Sequence, residues 1–240
     1  VWYMQMDQFA PDQILETRLF DSSPSQSEEE PQDASANFLE ALALGEPTPG
    51  GGSASAYSAA MAASLVAMVG RVTVGKKKYA DVETEVWPMI EEALELQSLM
   101  KKAVAKDAEA FEAYMKARRL PRDTDQQKED RIQAIQAASI NAAEVPLHVV
   151  RSAVQIIRLA VRAAEIGNVN AISDAGTASA LAQAALQGAG LNVRINLLGL
   201  EKESDPARML NELRGLEKRA EKLDEGLRRT LIERGGLTLS

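Results

Sequence analysis

The sequence contains no cysteine and only one histidine, His148, in 240 residues. The absence of cysteine excludes a disulfide scaffold, a Cys-ligated zinc site and an iron–sulfur cluster. A single histidine argues against a multi-histidine metal site and against a Ser–His nucleophile system. His148 also shares a predicted helix face with Glu144, Arg151 and Gln155, which is typical of a surface or edge residue. We therefore predict no metal site.

Long apolar runs and an excess of positive charge are also missing. No stretch of roughly 18 apolar residues and no charged-then-apolar leader occurs, so we predict a cytoplasmic protein without a membrane span. The formal charge is −8, and much of it lies in residues 21–33, which contain acids but no base. The remainder is nearly neutral, which predicts that the protein does not bind nucleic acid.

The composition divides the chain into three parts. Residues 1–20 form a short apolar and aromatic segment, and residues 21–35 form an acidic, proline-containing linker for which we predict disorder. Residues 36–240 form the main domain. The apolar segment before the linker has the composition of the end of another packed unit, and the chain lacks an initiator Met, so we expect it to be part of a longer polypeptide.

Nearly every periodic segment after Ala36 has its apolar residues at helical spacing, and no sustained two-residue alternation indicates a strand. We therefore predict an all-α bundle of long helices. The expected helices lie near residues 38–42, 53–70, 81–117, 124–165, 173–187 and 206–232.

Alanine is unusually frequent in the second of these helices. Small side chains let helix axes approach closely, but each contact buries little apolar area, at roughly 25 cal/mol per Å². We expect long helix contacts and a homodimer or larger homo-oligomer to supply the remaining stability. A stable monomer at micromolar concentration in sedimentation would contradict the oligomer.

A glycine-rich turn is the first segment with residues suited to chemistry. Gly50, Gly51 and Gly52 allow a ligand to approach the backbone closely. Ser53 is expected to cap the helix that follows, whose free N–H groups attract an anion or a carbonyl oxygen. The turn is not a P-loop, because no Lys-Ser/Thr pair follows the glycines. A flexible loop with an ordinary cap is the alternative.

Asp107 is the second candidate, because a helical wheel places it within the apolar stripe of the helix at 81–117. A carboxylate against apolar neighbours has its charged form disfavoured, which suits it to exchange protons with a substrate. The alternative is that Ala108 holds the core position and that Asp107 lies at its edge, paired with a base. The stripe consists of Leu96, Met100, Val104, Phe111 and Met115.

A third segment, residues 167–174, gathers amide, hydroxyl and carboxylate side chains just before a predicted helix. Such a cluster could bind the edge of a heterocycle through paired donors and acceptors. An N-cap at Ser173 or Asp174 explains only part of it. Two further asparagines lie one helical turn apart in the following segment. The polar residues in question are Asn168, Asn170, Ser173, Asp174, Asn192 and Asn196.

Two further features concern ligand contacts. Lys76, Lys77 and Lys78 form a basic run that is usually solvated surface but would suit a polyanionic tail beside a pocket. Pro146 lies inside a predicted helix and frees the carbonyl of Ala142, which is expected to kink the helix or to offer that oxygen to a ligand.

These segments, taken in order, resemble the cyclodeaminase family from about Ala36 to the C-terminus. That family includes the C-terminal domain of formiminotransferase-cyclodeaminase and stand-alone methenyltetrahydrofolate cyclohydrolases. Residues 1–20 resemble the end of a glutamate formiminotransferase domain. The motifs that carry the main resemblance are PGGGSASA, VGKKKY, KDAEAF, Leu120-Pro121, AAEVPL, GNVNAISDAGTA and LNVRIN. His148 matches none of them.

The resemblance implies an all-α dimer or larger assembly with a folate site in a cleft near the subunit contact. The implied reaction converts 5-formiminotetrahydrofolate to 5,10-methenyltetrahydrofolate and ammonia, without a metal, nucleotide or redox cofactor. The family's catalytic aspartate falls on Asp107. Lys76 and Lys77 would meet the glutamate tail of a polyglutamylated folate. The other implied folate contacts are Gly50, Gly51, Gly52, Ser53, Asn168, Asn170, Ser173, Asp174, Asn192 and Asn196.

Two alternative functions stay open at this point. Within the family, the chain could be a methenyltetrahydrofolate cyclohydrolase, since the same acid/base group would serve. From a different class, it could be a helical assembly module that has lost activity. The formiminotransferase-like segment favours the deaminase, because a formiminotransferase makes the deaminase's substrate, and the chain is expected to be fused to or paired with such a domain.

Overall fold

The computed structural model describes residues 34–200 and 204–239, and among them it contains helices but no strand, which confirms the all-α prediction. The predicted N-terminal tail and nearly all of the predicted linker lie outside the described residues. The α-helices are α1 (Ala34–Ala43), α2 (Gly51–Arg71), α3 (Glu83–Arg118), α4 (Asp125–Ile166), α5 (Ile172–Asn196) and α6 (Ser204–Glu233). Short 3-10 helices precede α3 (Lys77–Val82) and α5 (Val169–Ala171).

The chain separates into two compact units. The first ends at Glu40 and so includes the start of α1, and the second begins at Ala41 and holds α2 to α6. The cavities and side-chain contacts described below all belong to the second unit.

Helix α2 is the central helix of the second unit and packs against α3, α4 and α5. Its length and composition alone would let it cross a membrane, but 61% of its most apolar window is buried inside the protein, as in a core helix. The buried alanines of the predicted stretch face these neighbours. They are Ala56, Ala59, Ala60, Ala62, Ala63 and Ala67.

Close approach of the helices depends on glycine at two crossings. A Cβ on Gly70 would lie 3.0 Å from Ile90 Cδ1 and closer still to its Cγ1, so α2 and α3 meet there backbone to side chain. A Cβ on Gly188 would overlap the Ser55 hydroxyl, which brings α5 equally close to α2. Larger side chains at these positions would force the helix axes apart.

The helix boundaries differ from the sequence prediction at the end of α5 and agree with it at the start of α4. Helix α5 does not stop near residue 187 but continues to Asn196. At the start of α4, Thr124 is the N-cap, because the Gln127 N–H donates to Thr124 Oγ1 (3.2 Å) and the Thr124 N–H donates to Gln127 Oε1 (3.2 Å). This reciprocal pair is a capping box.

Two of the helices contain a proline in their interior. Helix α3 begins at Glu83 and runs through Pro88, and α4 runs through the buried Pro146. The final helix, α6, buries Leu213, Leu227 and Leu231 in the core. The homodimer stays a prediction.

Candidate active site

The glycine-rich turn leads directly into α2, with Gly50 as the N-cap residue. The prediction that Ser53 caps this helix is wrong, since no side chain caps it. Ser53 lies in the first turn instead, where its buried hydroxyl donates to Asp107 Oδ2 on α3 at 2.9 Å. The serine therefore positions a carboxylate rather than the end of its own helix.

The Asp107 carboxylate lies flat against the first turn of α2. A Cβ on Gly52 would be 2.6 Å from Asp107 Cγ and 2.7 Å from Oδ2, so only glycine leaves room for the carboxylate at this position. Asp107 is half-buried and is paired with a hydroxyl, not with the base that the alternative interpretation required. The positive end of a helix dipole is a favourable place for such a group.

A cavity of about 350 Å³ opens beside this carboxylate. Its walls come from the glycine turn, from α3, from α4 and from the C-terminal end of α5, and its volume is in the range of small-molecule sites. Phe111 and Tyr114 line it together with Asp107. The structure thus brings Asp107, the three glycines and Asn192 and Asn196 to one cavity.

The two asparagines on α5 present hydrogen-bond acceptors to this cavity. Asn192 Nδ2 donates to Gly188 O (2.9 Å), and Asn196 Nδ2 donates to Ala142 O (2.8 Å). A backbone carbonyl can only accept, so each amide must turn its nitrogen to the backbone, and each keeps Oδ1 for a ligand. Pro146 has no N–H to donate to the Ala142 carbonyl, so that oxygen is free to accept another hydrogen bond. In the structure the Asn196 side chain, not a ligand, donates to it. The cavity is therefore suited to a ligand rich in N–H donors.

The other predicted contacts lie at the opposite end of α2. Asn168 bonds to residues just beyond the C-terminus of that helix, through its backbone N–H to Thr73 Oγ1 (2.7 Å) and its Nδ2 to Val72 O (3.1 Å). The 21 residues of α2 span about 30 Å. Within one chain, the structure therefore does not bring the following residues to the cavity with Asp107: Asn168, Asn170, Ser173, Asp174, Lys76 and Lys77.

Asn168 is a buried structural residue rather than an exposed contact. Its Oδ1 accepts from the Asn170 N–H (3.1 Å) and faces the Tyr79 hydroxyl at 3.5 Å. The Val169 N–H donates to that same hydroxyl and holds the pKa of Tyr79 below its usual range. Neither Ser173 nor Asp174 caps α5, because its N-cap is Ala171. The lysines and Asn170 are exposed.

Replacing Asn168 by Ala is expected to lower the free energy of unfolding by about 2 kcal/mol, because buried partners lose their hydrogen bonds. Ligand binding at the cavity beside Asp107 should stay unchanged in the folded protein. Urea unfolding measures the first quantity. Asn170→Ala is the matched control: its exposed side chain should cost less than about 0.5 kcal/mol, and an equal loss in both variants would contradict the structural role.

Tyr114 and Ser139 are cavity residues that the sequence analysis missed. Tyr114 follows Asp107 by seven residues, which is two helical turns, so it occupies the same face of α3 and the spacing alone could have identified it. Ser139 is contributed by α4, and no local pattern links it to Asp107.

Metal ligation was predicted to be absent. Among the residues that the structure describes, no group of three or more His, Asp or Glu side chains is arranged to hold a metal ion.

Comparison with known proteins gives consistent similarities. The sequence profile described as formiminotransferase-cyclodeaminase matches residues 34–215. A methenyltetrahydrofolate cyclohydrolase of Methylorubrum extorquens is 44% identical over 194 residues, covering 81% of this chain and 93% of that protein. The formimidoyltransferase-cyclodeaminase of Sus scrofa is 30% identical over 75% of this chain, which spans only 33% of that longer protein.

A solved structure agrees with these sequence relatives. The formiminotetrahydrofolate cyclodeaminase of Thermotoga maritima superimposes with a TM-score of 0.74 at 33% identity, covering 82% of this chain and 94% of the other.

Proposed function

Because the chain belongs to the formiminotransferase-cyclodeaminase family, we propose that it is a formiminotetrahydrofolate cyclodeaminase. It converts 5-formiminotetrahydrofolate to 5,10-methenyltetrahydrofolate and ammonia, with Asp107 as the acid/base group. The observation that carries the proposal is the Asp107 carboxylate held by Ser53 against Gly52 at the wall of a ligand-sized cavity.

The reaction requires proton transfers around one carbon atom. N10 attacks the formimino carbon and forms the C–N bond of a five-membered ring. The N10 proton moves to the formimino nitrogen, and a further proton reaches that nitrogen before its bond to carbon breaks and ammonia leaves. One carboxyl group that alternates between base and acid can carry out these transfers. The attack is intramolecular, so the enzyme has only to hold the bent conformation.

The acceptors in the cavity suit this substrate. A reduced pterin carries amino and ring N–H groups, and the Oδ1 atoms of Asn192 and Asn196 can accept from them. Phe111 and Tyr114 offer aromatic surface for the ring system. The proposed chemistry uses proton transfer alone, so we expect no metal, nucleotide or redox cofactor.

Methenyltetrahydrofolate cyclohydrolase is the second candidate, and the 44% identical relative that matches almost from end to end favours it. In that reaction water attacks the carbon between N5 and N10, and Asp107 would accept its proton. We place the deaminase first because residues 1–20 resemble the end of a formiminotransferase domain, whose product is the deaminase's substrate. The cyclodeaminase name of the similar solved structure supports the same choice.

A direct assay with both substrates tests the choice. With 5-formiminotetrahydrofolate, the purified chain should raise the methenyl absorbance and release one ammonia per turnover. Enzyme-dependent loss of methenyl absorbance from methenyltetrahydrofolate, with no ammonia from the formimino compound, would make the protein a cyclohydrolase instead. No turnover of either substrate would contradict both proposals and favour a helical assembly module.

Assembly and substrate form belong to the proposal as well. We expect a homodimer or larger homo-oligomer, a cytoplasmic location and a preference for polyglutamylated folate, with a formiminotransferase domain fused or paired to the chain. Sedimentation of the purified protein measures the first of these.

Replacing Ser53 by Ala is expected to lower kcat about tenfold with little change in KM, because the carboxylate loses the hydrogen bond that orients it. Steady-state kinetics measure both constants. Ser58→Ala is the matched control on α2, since the Ser58 hydroxyl donates to Leu181 O (2.9 Å), away from the cavity. Equal kcat values in the two variants would remove Ser53 from the positioning of Asp107.

A further inference from the structure

A second cavity lies on the neighbouring side of the contact between α3 and α4. Its volume is about 480 Å³, and it is separate from the cavity beside Asp107 except for one shared wall residue, Ala110. Polar side chains surround it: Lys106 and Glu109 from α3, and Asn141, Glu144 and His148 from α4. These polar side chains take no part in the reaction proposed above.

The two cavities adjoin along the surface of α3. Asp107 and Lys106 are consecutive, so they lie about 100° apart around the helix and line different cavities. Ala110 follows Asp107 by three residues and Lys106 by four, so it lies between them one turn further on. Ala110 lines both cavities, so an extended ligand that crosses this alanine reaches from one cavity to the other.

The floor of the second cavity is apolar. Ala103 and Ala110 are buried, and Val145 stands opposite them on α4. The rise from Ala103 to Ala110 is about 10 Å. A strip of small apolar side chains of this length can accommodate an aromatic ring between the two helices.

Several polar side chains at the rim of this cavity are available to form hydrogen bonds with a ligand. Among the described residues, the side chains of Lys106, Asn141 and His148 have no hydrogen bond or ion pair, whereas the Glu144 carboxylate is bound by Arg151 at 2.5 Å. Burial, followed by the charges of Arg151 and Lys106, lowers the pKa of His148, so its imidazole is neutral near pH 7. The rim thus offers one cation, one amide and one neutral imidazole.

Resting on the proposed function, we propose that the second cavity binds the p-aminobenzoylglutamate half of the folate substrate. The pterin and the reacting carbon lie beside Asp107, the benzoyl ring crosses Ala110 and rests on the apolar floor, and Lys106 binds a carboxylate of the glutamate. Asn141 and His148 are placed to bind the connecting amide. This assignment differs from the lysine run at 76–78, which is about 30 Å from Asp107 within the chain.

The charges around the rim predict opposite effects on glutamate binding for two substitutions. Glu109 lies one turn from Lys106 and repels a carboxylate, whereas the charge of Glu144 is compensated by Arg151, which also binds Glu212 at 2.6 Å. Removing the charge of Lys106 should weaken binding of the glutamate, and removing the charge of Glu109 should strengthen it.

A binding experiment tests this without depending on turnover. His148 is the only histidine, so its imidazole C–H resonances can be followed in an NMR titration with p-aminobenzoylglutamate. We expect a saturable shift in the wild-type protein, about fivefold weaker binding in Lys106→Gln, and tighter binding in Glu109→Gln. Lys101→Gln, an exposed charge change on another face of α3, is the matched control and should bind as the wild type does.

Kinetics then separate this inference from the proposed function. For the folate substrate, Lys106→Gln should raise KM about fivefold with kcat nearly unchanged. With a form of the same substrate that lacks the glutamate, Lys106→Gln and the wild type should have the same KM. No saturable histidine shift, or a Lys106→Gln variant identical to Lys101→Gln, would overturn the inference. A KM increase in Lys76→Gln without one in Lys106→Gln would also overturn the inference. A wild-type protein that binds p-aminobenzoylglutamate but turns over neither folate would contradict only the proposed function.

Discussion

Replacing Asp107 by Asn is expected to lower kcat by about 10²–10⁴-fold while the substrate still binds with near wild-type KM. Asparagine has the same shape and still accepts the hydrogen bond from Ser53, but it can neither take the N10 proton nor return one to the leaving nitrogen. The loss therefore falls on the chemical step. Steady-state kinetics on 5-formiminotetrahydrofolate measure it.

Asp130→Asn is the matched control for this substitution. Asp130 is an exposed carboxylate near the start of α4 that does not line the cavity, and its variant should retain nearly full activity. Similar losses in both variants would indicate a general effect of removing a carboxylate. Near-normal turnover in Asp107→Asn would take this residue out of the mechanism.

Replacing Gly52 by Ala is expected to reduce kcat by about 10²-fold while the protein remains folded. The new Cβ would meet the Asp107 carboxylate, at 2.6 Å from its Cγ, and the side chain would have to turn away and lose its bond to Ser53. Because the displaced atoms are the end of a side chain, the helix can absorb the change. A carboxylate displaced by about 1 Å costs an enzyme about 10²-fold in rate.

Gly51→Ala provides the control for that variant within the same helical turn. A Cβ on Gly51 would lie 3.4 Å from Asn192 Nδ2, which is an ordinary contact. Its kcat should stay within about threefold of the wild type, and thermal unfolding should confirm that both variants fold. Equal kcat values for Gly51→Ala and Gly52→Ala would contradict the close fit of Asp107 against Gly52.

The sequence predicted the fold class well because its apolar spacing is helical throughout. Asp107 and the glycine turn were also identified locally, from a polar residue in an apolar stripe and from three consecutive glycines. Their contact was not predictable from these patterns, since it joins residues 54 positions apart on two helices. Ser53 shows the difference: a serine at a helix start suggests a cap, and only the packing of α3 against α2 reveals its partner.

The end of α5 was misplaced for a related reason. Glycine is typical of the end of a helix. Gly188 nevertheless lies inside α5, where it lets this helix approach Ser55 of α2. Extending α5 to Asn196 is what brings Asn192 and Asn196 to the cavity. The polar cluster at 167–174 lies away from the cavity within one chain, because Asn168 bonds to groups at the far end of α2.

The single-turnover rate under saturating enzyme tests the central claim most directly, because it isolates the chemical step from binding and product release. Wild-type protein and Asp107→Asn are each mixed with limiting 5-formiminotetrahydrofolate, and the methenyl absorbance is followed in time. We predict that the variant binds the substrate and forms the product at least about 10²-fold more slowly. Equal single-turnover rates for the two proteins would contradict proton transfer by Asp107.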